Sequence, residues 1–101
     1  MKKSLGILVS SAQHMDKLVT LCRSAQKKGV EVSIFFSHLG AELTQDVRFK
    51  ELRGLAKLSL CQVSFQSQGL RPPVDGLDPK DFATQARHAE LIEACDRYVV
   101  L

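Results

Sequence analysis

Two hydrophobic patterns alternate along the chain. Short, nearly continuous apolar runs rich in β-branched and aromatic residues predict strands, and they cover residues 5–9, 30–36, 58–61 and 98–101. Segments with a helical apolar period predict amphipathic helices, and they cover residues 14–28, 63–68 and 82–94. A further amphipathic segment is marked by Leu43, Val47, Leu52 and Ala56. All three prolines lie within residues 71–81, which are predicted to form a loop.

This alternation of strands and helices determines the predicted fold class. Strands joined by helices pair in parallel through right-handed crossovers, which place helices on both faces of the sheet. Nearly continuous apolar strands are also typical of a sheet that is covered on both faces. The sequence therefore predicts one α/β domain over residues 1–101. We expect a three-layer α/β/α sandwich around a mainly parallel, four- to five-stranded sheet.

Composition narrows the function classes. The 101 residues are 45% hydrophobic and 25% charged, which is ordinary for a globular domain. The net charge is +3, with scattered Lys and Arg, one Tyr and no Trp. Because stacking side chains and a basic cluster are both scarce, we expect no direct nucleic-acid binding.

The N-terminal run and the cysteines bear on the compartment. The apolar run of residues 5–9 is shorter than the core of a signal peptide, so a first strand explains it better. No run approaches the roughly 20 apolar residues of a membrane span. The three cysteines include no CxxC pair. We therefore expect reduced thiols in a cytoplasmic protein.

Cys61 is the residue whose position favours chemistry. It ends the third predicted strand and directly precedes a helix, at the sheet edge where open α/β folds bind ligands. Helix N–H groups there would lower the pKa of the thiol and make it a nucleophile. The alternative is that Cys61 is a small buried hydrophobe, and position alone leaves both interpretations open. Packing is the simpler interpretation for Cys22, on the apolar stripe of the first helix, and for Cys95.

Three segments resemble the DsrE-like (DsrE/TusD) sulfur-relay family. They are GVEVSIFF at residues 29–36, KLSLCQVSFQSQGL at residues 57–70 and CDRYVVL at residues 95–101. Their shared elements, in chain order, are Gly29, Phe35 with Phe36, Cys61, Gly69 with Leu70, and Asp96 with Arg97. The resemblance spans nearly the whole chain. It implies that Cys61 is the catalytic residue of a sulfurtransferase or sulfur carrier and holds sulfur as a persulfide.

The resemblance also implies partners and an alternative. Members work as homo- or hetero-oligomers with sulfur donor and acceptor proteins, and we expect no cofactor. Some members support assembly rather than carry sulfur, so a non-catalytic binding or assembly subunit of the same fold is the alternative function. A thiol peroxidase or disulfide reductase is a third interpretation, which the absence of a nearby resolving cysteine disfavours.

Histidines add one candidate to the site. His38 follows the second strand at the edge where Cys61 is expected, so its imidazole is a candidate thiolate partner or proton shuttle. An exposed turn histidine is the simpler alternative, and His14 has the same ambiguity. His88 has no partner that the sequence identifies. No Cys or His pair has zinc-site spacing, so we expect no metal site. The segment after the first strand has no glycine-rich phosphate loop.

Overall fold

Five strands form one parallel sheet in the computed structural model, which describes residues 3–101. The strands are β1 Ser4–Val9, β2 Glu31–Phe36, β3 Lys57–Cys61, β4 Phe82–Ala83 and β5 Arg97–Val100. Their order across the sheet is β4-β3-β2-β1-β5, and every pair is parallel. The predicted α/β sandwich is confirmed, with the upper of the two expected strand numbers.

Three α-helices and three 3₁₀ segments connect these strands. The helices are α1 Met15–Lys27, α2 Gln62–Ser67 and α3 Gln85–Ala94. The 3₁₀ segments are His38–Gln45, Phe49–Gly54 and Pro79–Asp81. Among residues 3–101, no helix has the length and apolar character needed to cross a bilayer.

The predicted amphipathic segment between β2 and β3 is broken into two 3₁₀ pieces. Leu43 and Leu52 are buried as expected, but Val47 lies between the pieces and is 83% exposed. The carboxylate of Asp46 explains the break, because its Oδ1 accepts the N–H of Arg48 at 2.8 Å. Such a local side-chain turn competes with helix propagation. The apolar period was therefore a poor guide to the position of Val47.

The helix predicted over residues 82–94 begins three residues later than expected. Phe82 pairs with Leu60 and Ala83 pairs with Cys61, which makes these two residues an edge strand. Thr84 then caps α3, its hydroxyl oxygen accepting the N–H of Ala86 at 3.3 Å. A hydroxyl at this position satisfies one of the free N–H groups of a helix start. The prediction that Phe82 begins the helix is wrong for this reason.

The two faces of the sheet have separate cores. Side chains alternate along each strand, so Ile7 and Val9 belong to one face and Leu8 to the other. On the first face the predicted apolar stripe of α1 is buried, and it consists of Met15, Leu18, Val19, Cys22 and Ala25. On the second face Leu91 of α3 packs with Phe35 and Cys61. We call these the α1 face and the α3 face.

Candidate functional site

Cys61 is held at the carboxyl edge of the sheet, where β3 meets α2. It is the last residue of β3 and the residue that immediately precedes α2. Its side chain belongs to the α3 face, in the small apolar cluster with Phe35 and Leu91. Only 6% of Cys61 is exposed. The predicted helix start is present, whereas the expected accessibility is reduced to a small exposed fraction.

Polar groups surround the remaining side of the Cys61 thiol. Burial acts to raise its pKa and is the largest single effect, but the hydrogen-bonding groups around it together outweigh burial. These groups are the hydroxyl and N–H of Ser64, the side-chain amide of Gln85 and the N–H of Val63. The pKa of Cys61 is therefore lowered, which is the direction expected of a nucleophilic thiol.

The start of α2 helps to lower the pKa of Cys61 through individual N–H groups rather than through the dipole of a long helix. The helix has six residues. Within the described residues the thiol makes no capping hydrogen bond of ordinary geometry to it. The N–H groups of Val63 and Ser64 nevertheless favour the anion. The expectation of a thiolate-favouring helix start is thus met by the local amides of the first turn.

A chain of polar side chains, two of them buried, holds these donors in place. Gln85 Nε2 donates to Ser37 Oγ at 3.1 Å, and Ser37 Oγ lies 3.5 Å from Ser64 Oγ. Ser37 is 1% exposed, so its hydroxyl depends on these partners. The network joins the ends of β2 and β3 to the start of α3. It therefore fixes the donors around Cys61 from three elements at once.

His38 is tied to the site through its backbone. Its N–H donates to Ser64 Oγ at 2.9 Å, and its carbonyl accepts a short hydrogen bond from Gln68 Nε2. The backbone has φ 49, in the left-handed region that is uncommon for residues other than glycine. The residue as a whole is exposed. The structure thus brings His38 to the edge that contains Cys61, and its described contacts there are made by main-chain atoms.

The Cys22 thiol occupies the α1 core. It is fully buried, and burial raises its pKa to about 11. This confirms the packing interpretation for Cys22 and makes it unreactive as a thiolate near neutral pH.

Cys95 lies far from Cys61 across the α3 face. A Cβ added at Gly6 would lie 2.8 Å from Cys95 Sγ, so the Cys95 side chain packs against Gly6. Gly6 is in register with Ser33, and Ser33 with Lys57. Cys61 follows Lys57 by four residues on β3, which is two strands away from β1. Ideal strand spacings then put Cys61 roughly 16 Å from Gly6, so Cys95, which contacts Gly6, is out of disulfide range of Cys61.

The remaining histidines lie outside this network. His88 stacks on Phe35 with ring centroids 5.3 Å apart, and its Nε2 lies 2.7 Å from Tyr98 OH. These contacts hold α3 against the sheet. Phe35 and Tyr98 are therefore the partners of His88 that the sequence did not identify. His14 precedes α1 without a side-chain cap among the described residues.

No part of the described chain offers a metal centre, and one prominent groove lies away from Cys61. Within residues 3–101, no group of three or more His, Cys, Asp or Glu side chains could hold a metal ion. A groove of about 820 Å³ lies at the amino ends of β2 and β3, with Ser33, Lys57 and Ser59 in its lining. Because Cys61 is at the opposite end of β3, the groove and the thiol are distinct features.

Three residues of the site were not predicted. Ser37, Ser64 and Gln85 form the polar network, and Gln85 is 48 residues from its partner Ser37. Only Ser64 had a usable signal, since it follows Cys61 by three residues, the spacing of a helix capping box. Ser37 and Gln85 come together only through the pairing of strands.

Comparison with known proteins adds no assignment. No protein-family model and no curated protein sequence matches the chain.

Proposed function

We propose that this protein is a cytoplasmic DsrE-like sulfur carrier in which Cys61 accepts sulfur as a persulfide and passes it to a partner thiol. The observation that supports this proposal most directly is the position of Cys61 at the end of β3 and directly before α2, where neighbouring hydrogen-bonding groups lower its pKa. A lowered pKa increases the thiolate fraction, and the thiolate is the form that attacks sulfur. The resemblance of residues 57–70 to the family supplies the reaction class.

The transfer is a balanced exchange that needs no oxidant. The Cys61 thiolate attacks the outer sulfur of a donor persulfide, R–S–SH. A new bond forms between Sγ and that sulfur, the sulfur–sulfur bond of the donor breaks, and the donor leaves as the thiolate R–S⁻. In the second step an acceptor thiolate attacks the outer sulfur of the Cys61 persulfide and releases the Cys61 thiolate.

The polar network has a defined role in this proposal. Ser64 and Gln85 stabilise the thiolate before attack and again when it leaves in the second step. Ser37 is a positioning residue, because it contacts Gln85 and Ser64 rather than the reacting sulfur. The His38 imidazole is a candidate proton shuttle for the incoming acceptor thiol. Donor and acceptor are proteins, and the carrier works as a homo- or hetero-oligomer.

Persulfide loading tests the proposal directly. The reduced protein is incubated near neutral pH with cysteine persulfide, and the added sulfur is located by mass spectrometry of peptides. We expect the adduct on Cys61, no adduct in a Cys61→Ser variant, and unchanged loading in a Cys95→Ala variant. Sulfur spread evenly over the three cysteines, or absent from Cys61, would contradict the proposal.

A non-catalytic binding or assembly subunit is the second candidate function. Two observations favour it: Cys61 is only 6% exposed, and an apolar pocket of about 430 Å³ lies beside α2. The pocket is lined by Phe65, Phe82 and three prolines, among other residues. If the protein is a non-catalytic subunit, a Cys61→Ser variant should keep full activity in a complementation assay. If the protein is a sulfur carrier, the same variant should lose that activity.

A further inference from the structure

The apolar pocket beside α2 lies on the α1 face of the sheet, away from the Cys61 thiol. Its lining includes Phe65, Val74, Leu77 and Phe82, which all belong to the hydrophobic cluster of that face. The Cys61 side chain belongs to the cluster of the α3 face. The pocket is therefore separate from the thiol, and what it binds is independent of the proposed function.

Two aromatic rings in the lining contact each other edge to face. The ring centroids of Phe65 and Phe82 lie 5.1 Å apart, and the ring planes are inclined by 70°. Phe65 is buried, whereas part of Phe82 is exposed. The rings of Pro72, Pro73 and Pro79 also line the pocket. Aromatic side chains attract a further ring in an offset or edge-to-face position, so this lining favours an aromatic ligand over an aliphatic one of equal size.

The proline-containing wall of the pocket is held in place by Arg53. Its guanidinium donates to the Gly76 carbonyl at 2.9 Å and to the carboxylates of Asp81 and Asp78 at 2.8 and 2.6 Å. Val74, on the same segment, is buried in the α1 core. Proline residues add stiffness, because each ring fixes a backbone dihedral. The pocket is therefore preformed, and a ligand does not have to order it on binding.

No charged side chain of residues 3–101 lines the pocket, although charged residues flank its lining segments in the sequence. The two aspartates bound by Arg53 are already paired. Asp75 lines a different groove, together with Lys50. Arg71 and Lys80 are exposed and lie outside the lining. A charged group inside the pocket would therefore lose its water without gaining an opposite charge.

The polar part of the lining consists of two side-chain amides. Gln62 and Gln66 are both exposed and lie one turn apart on α2, so they share one side of the helix. Each amide offers hydrogen-bond donors and an acceptor. They can therefore bind a neutral polar atom at the edge of a ligand whose rings are buried.

We propose that this pocket binds a small, uncharged aromatic molecule of one or two fused rings, with a neutral polar atom directed at the two amides. Its rings pack against Phe65, Phe82 and the prolines. The size of the pocket supports this ligand class. A volume of about 430 Å³ is roughly three times that of a ~150 Å³ cavity that takes up benzene, so two fused rings fit.

Three matched ligands test the site by NMR titration of the ¹⁵N-labelled protein at neutral pH. They are 2-naphthol, its saturated analogue decahydro-2-naphthol and the anion 2-naphthoate. We expect 2-naphthol to shift the amide resonances of α2 and of residues 74–82. It should bind about fivefold more tightly than the saturated alcohol, because of the ring contacts. It should bind at least about tenfold more tightly than 2-naphthoate, whose carboxylate would be desolvated without a partner.

Variants at the pocket separate binding from folding. Gln66→Trp places a large side chain at an exposed helical position of the lining, so it should block the pocket and weaken 2-naphthol binding by at least about fivefold without disturbing the core. The matched control is Gln26→Trp, at an exposed position of α1 outside the lining, which should leave the affinity unchanged. Phe82→Leu should abolish the preference for the aromatic ligand over the saturated one.

Several results would overturn the assignment. They are the absence of shifts with 2-naphthol, shifts confined to the groove that contains Ser33 and Ser59, and equal binding of the three ligands. Unchanged affinity in Gln66→Trp would have the same consequence. Sedimentation of the same samples covers a different occupant, since a dimer that 2-naphthol dissociates would show that a second copy of the chain fills the pocket instead.

Discussion

The N–H of His38 donates a hydrogen bond to Ser64 Oγ at 2.9 Å across 26 residues of sequence. Because this N–H occupies a lone pair of the Ser64 oxygen, the hydroxyl hydrogen remains available to the groups on its other side. Those groups are Ser37 Oγ, 3.5 Å away, and the Cys61 thiol. The contact thus couples the loop after β2 to the ionisation of Cys61.

Ser64→Ala should raise the pKa of Cys61, because it removes the hydroxyl that favours the thiolate and leaves the effect of burial in place. Loss of one hydrogen bond to a charged group should slow alkylation of Cys61 at neutral pH by about tenfold. The measurement is the pH dependence of iodoacetamide labelling, resolved by peptide mass spectrometry.

The control for this substitution is Ser67→Ala. Ser67 is also a serine of α2, but its hydroxyl donates to the carbonyl of Ser64 and does not face the thiol. Its labelling profile should match that of the parent protein. Equal labelling profiles for the Ser64→Ala variant and the parent protein would show that the polar network does not control the reactivity of Cys61.

The left-handed backbone of His38 predicts an unusual stability order. With φ 49, a residue with a Cβ costs about 1 kcal/mol more than glycine. His38→Gly should therefore have a higher free energy of unfolding than His38→Ala by about that amount, less the greater chain entropy of glycine. Urea denaturation of the two variants measures the difference.

These two variants also test the imidazole. Both lack it, and both keep the main-chain N–H that reaches Ser64. If the imidazole serves as the proton shuttle, both variants should transfer sulfur more slowly to an acceptor thiol while loading normally. Unchanged transfer in both variants would limit the role of His38 to its backbone.

Gly40→Ala should be strongly destabilising. A Cβ at this position would lie 2.0 Å from the carbonyl oxygen of Val9, which itself accepts the N–H of Ser37 at 3.0 Å. Neither backbone group can move freely, so we expect a loss of about 2–3 kcal/mol in the free energy of unfolding. Gly54→Ala is the matched control, since a Cβ there meets nothing within 4 Å. A small effect at Gly40 would show that the loop after β2 can shift away from Val9.

The local hydrophobic pattern of the sequence was sufficient to predict the layers of the fold. The strands in the middle of the sheet are apolar on both sides, so their residues had few alternatives to a buried strand. The stripe of α1, including Cys22, follows a strict helical period and is buried as expected. In such segments burial and propensity point to the same structure.

Local pattern failed where a few residues are held by distant partners. β4 has two residues, and its pairing with Leu60 and Cys61 is not encoded in its own sequence. The site has the same character, because Gln85 and Ser37 are 48 residues apart and are brought together by the tertiary fold. The position of Cys61 at a strand end could be predicted, whereas its small exposed fraction and its polar neighbours depend on tertiary packing.

The buried thiol of Cys22 predicts a loss of stability in alkali. Its pKa is raised from the ordinary 9.0 to about 11 in the folded state. The contribution of the Cys22 thiol to the free energy of unfolding is therefore fully present below pH 9, where this thiol is protonated in both the folded and the unfolded chain. Between pH 9 and 11 only the unfolded chain releases this proton, so the free energy of unfolding falls by about 2–3 kcal/mol.

Cys22→Ala isolates this effect, because it removes the ionisable group from the same buried position. The variant should be less stable than the parent near pH 7, because the substitution removes buried volume. The difference between their free energies of unfolding should narrow or reverse by pH 10.5. Urea denaturation at both pH values, with a reductant present, measures the gap. Tyr98, whose pKa is also raised by burial and by Cys95, contributes equally to both proteins and cancels. Parallel stability profiles would show that the Cys22 thiolate forms as easily in the fold as in the unfolded chain.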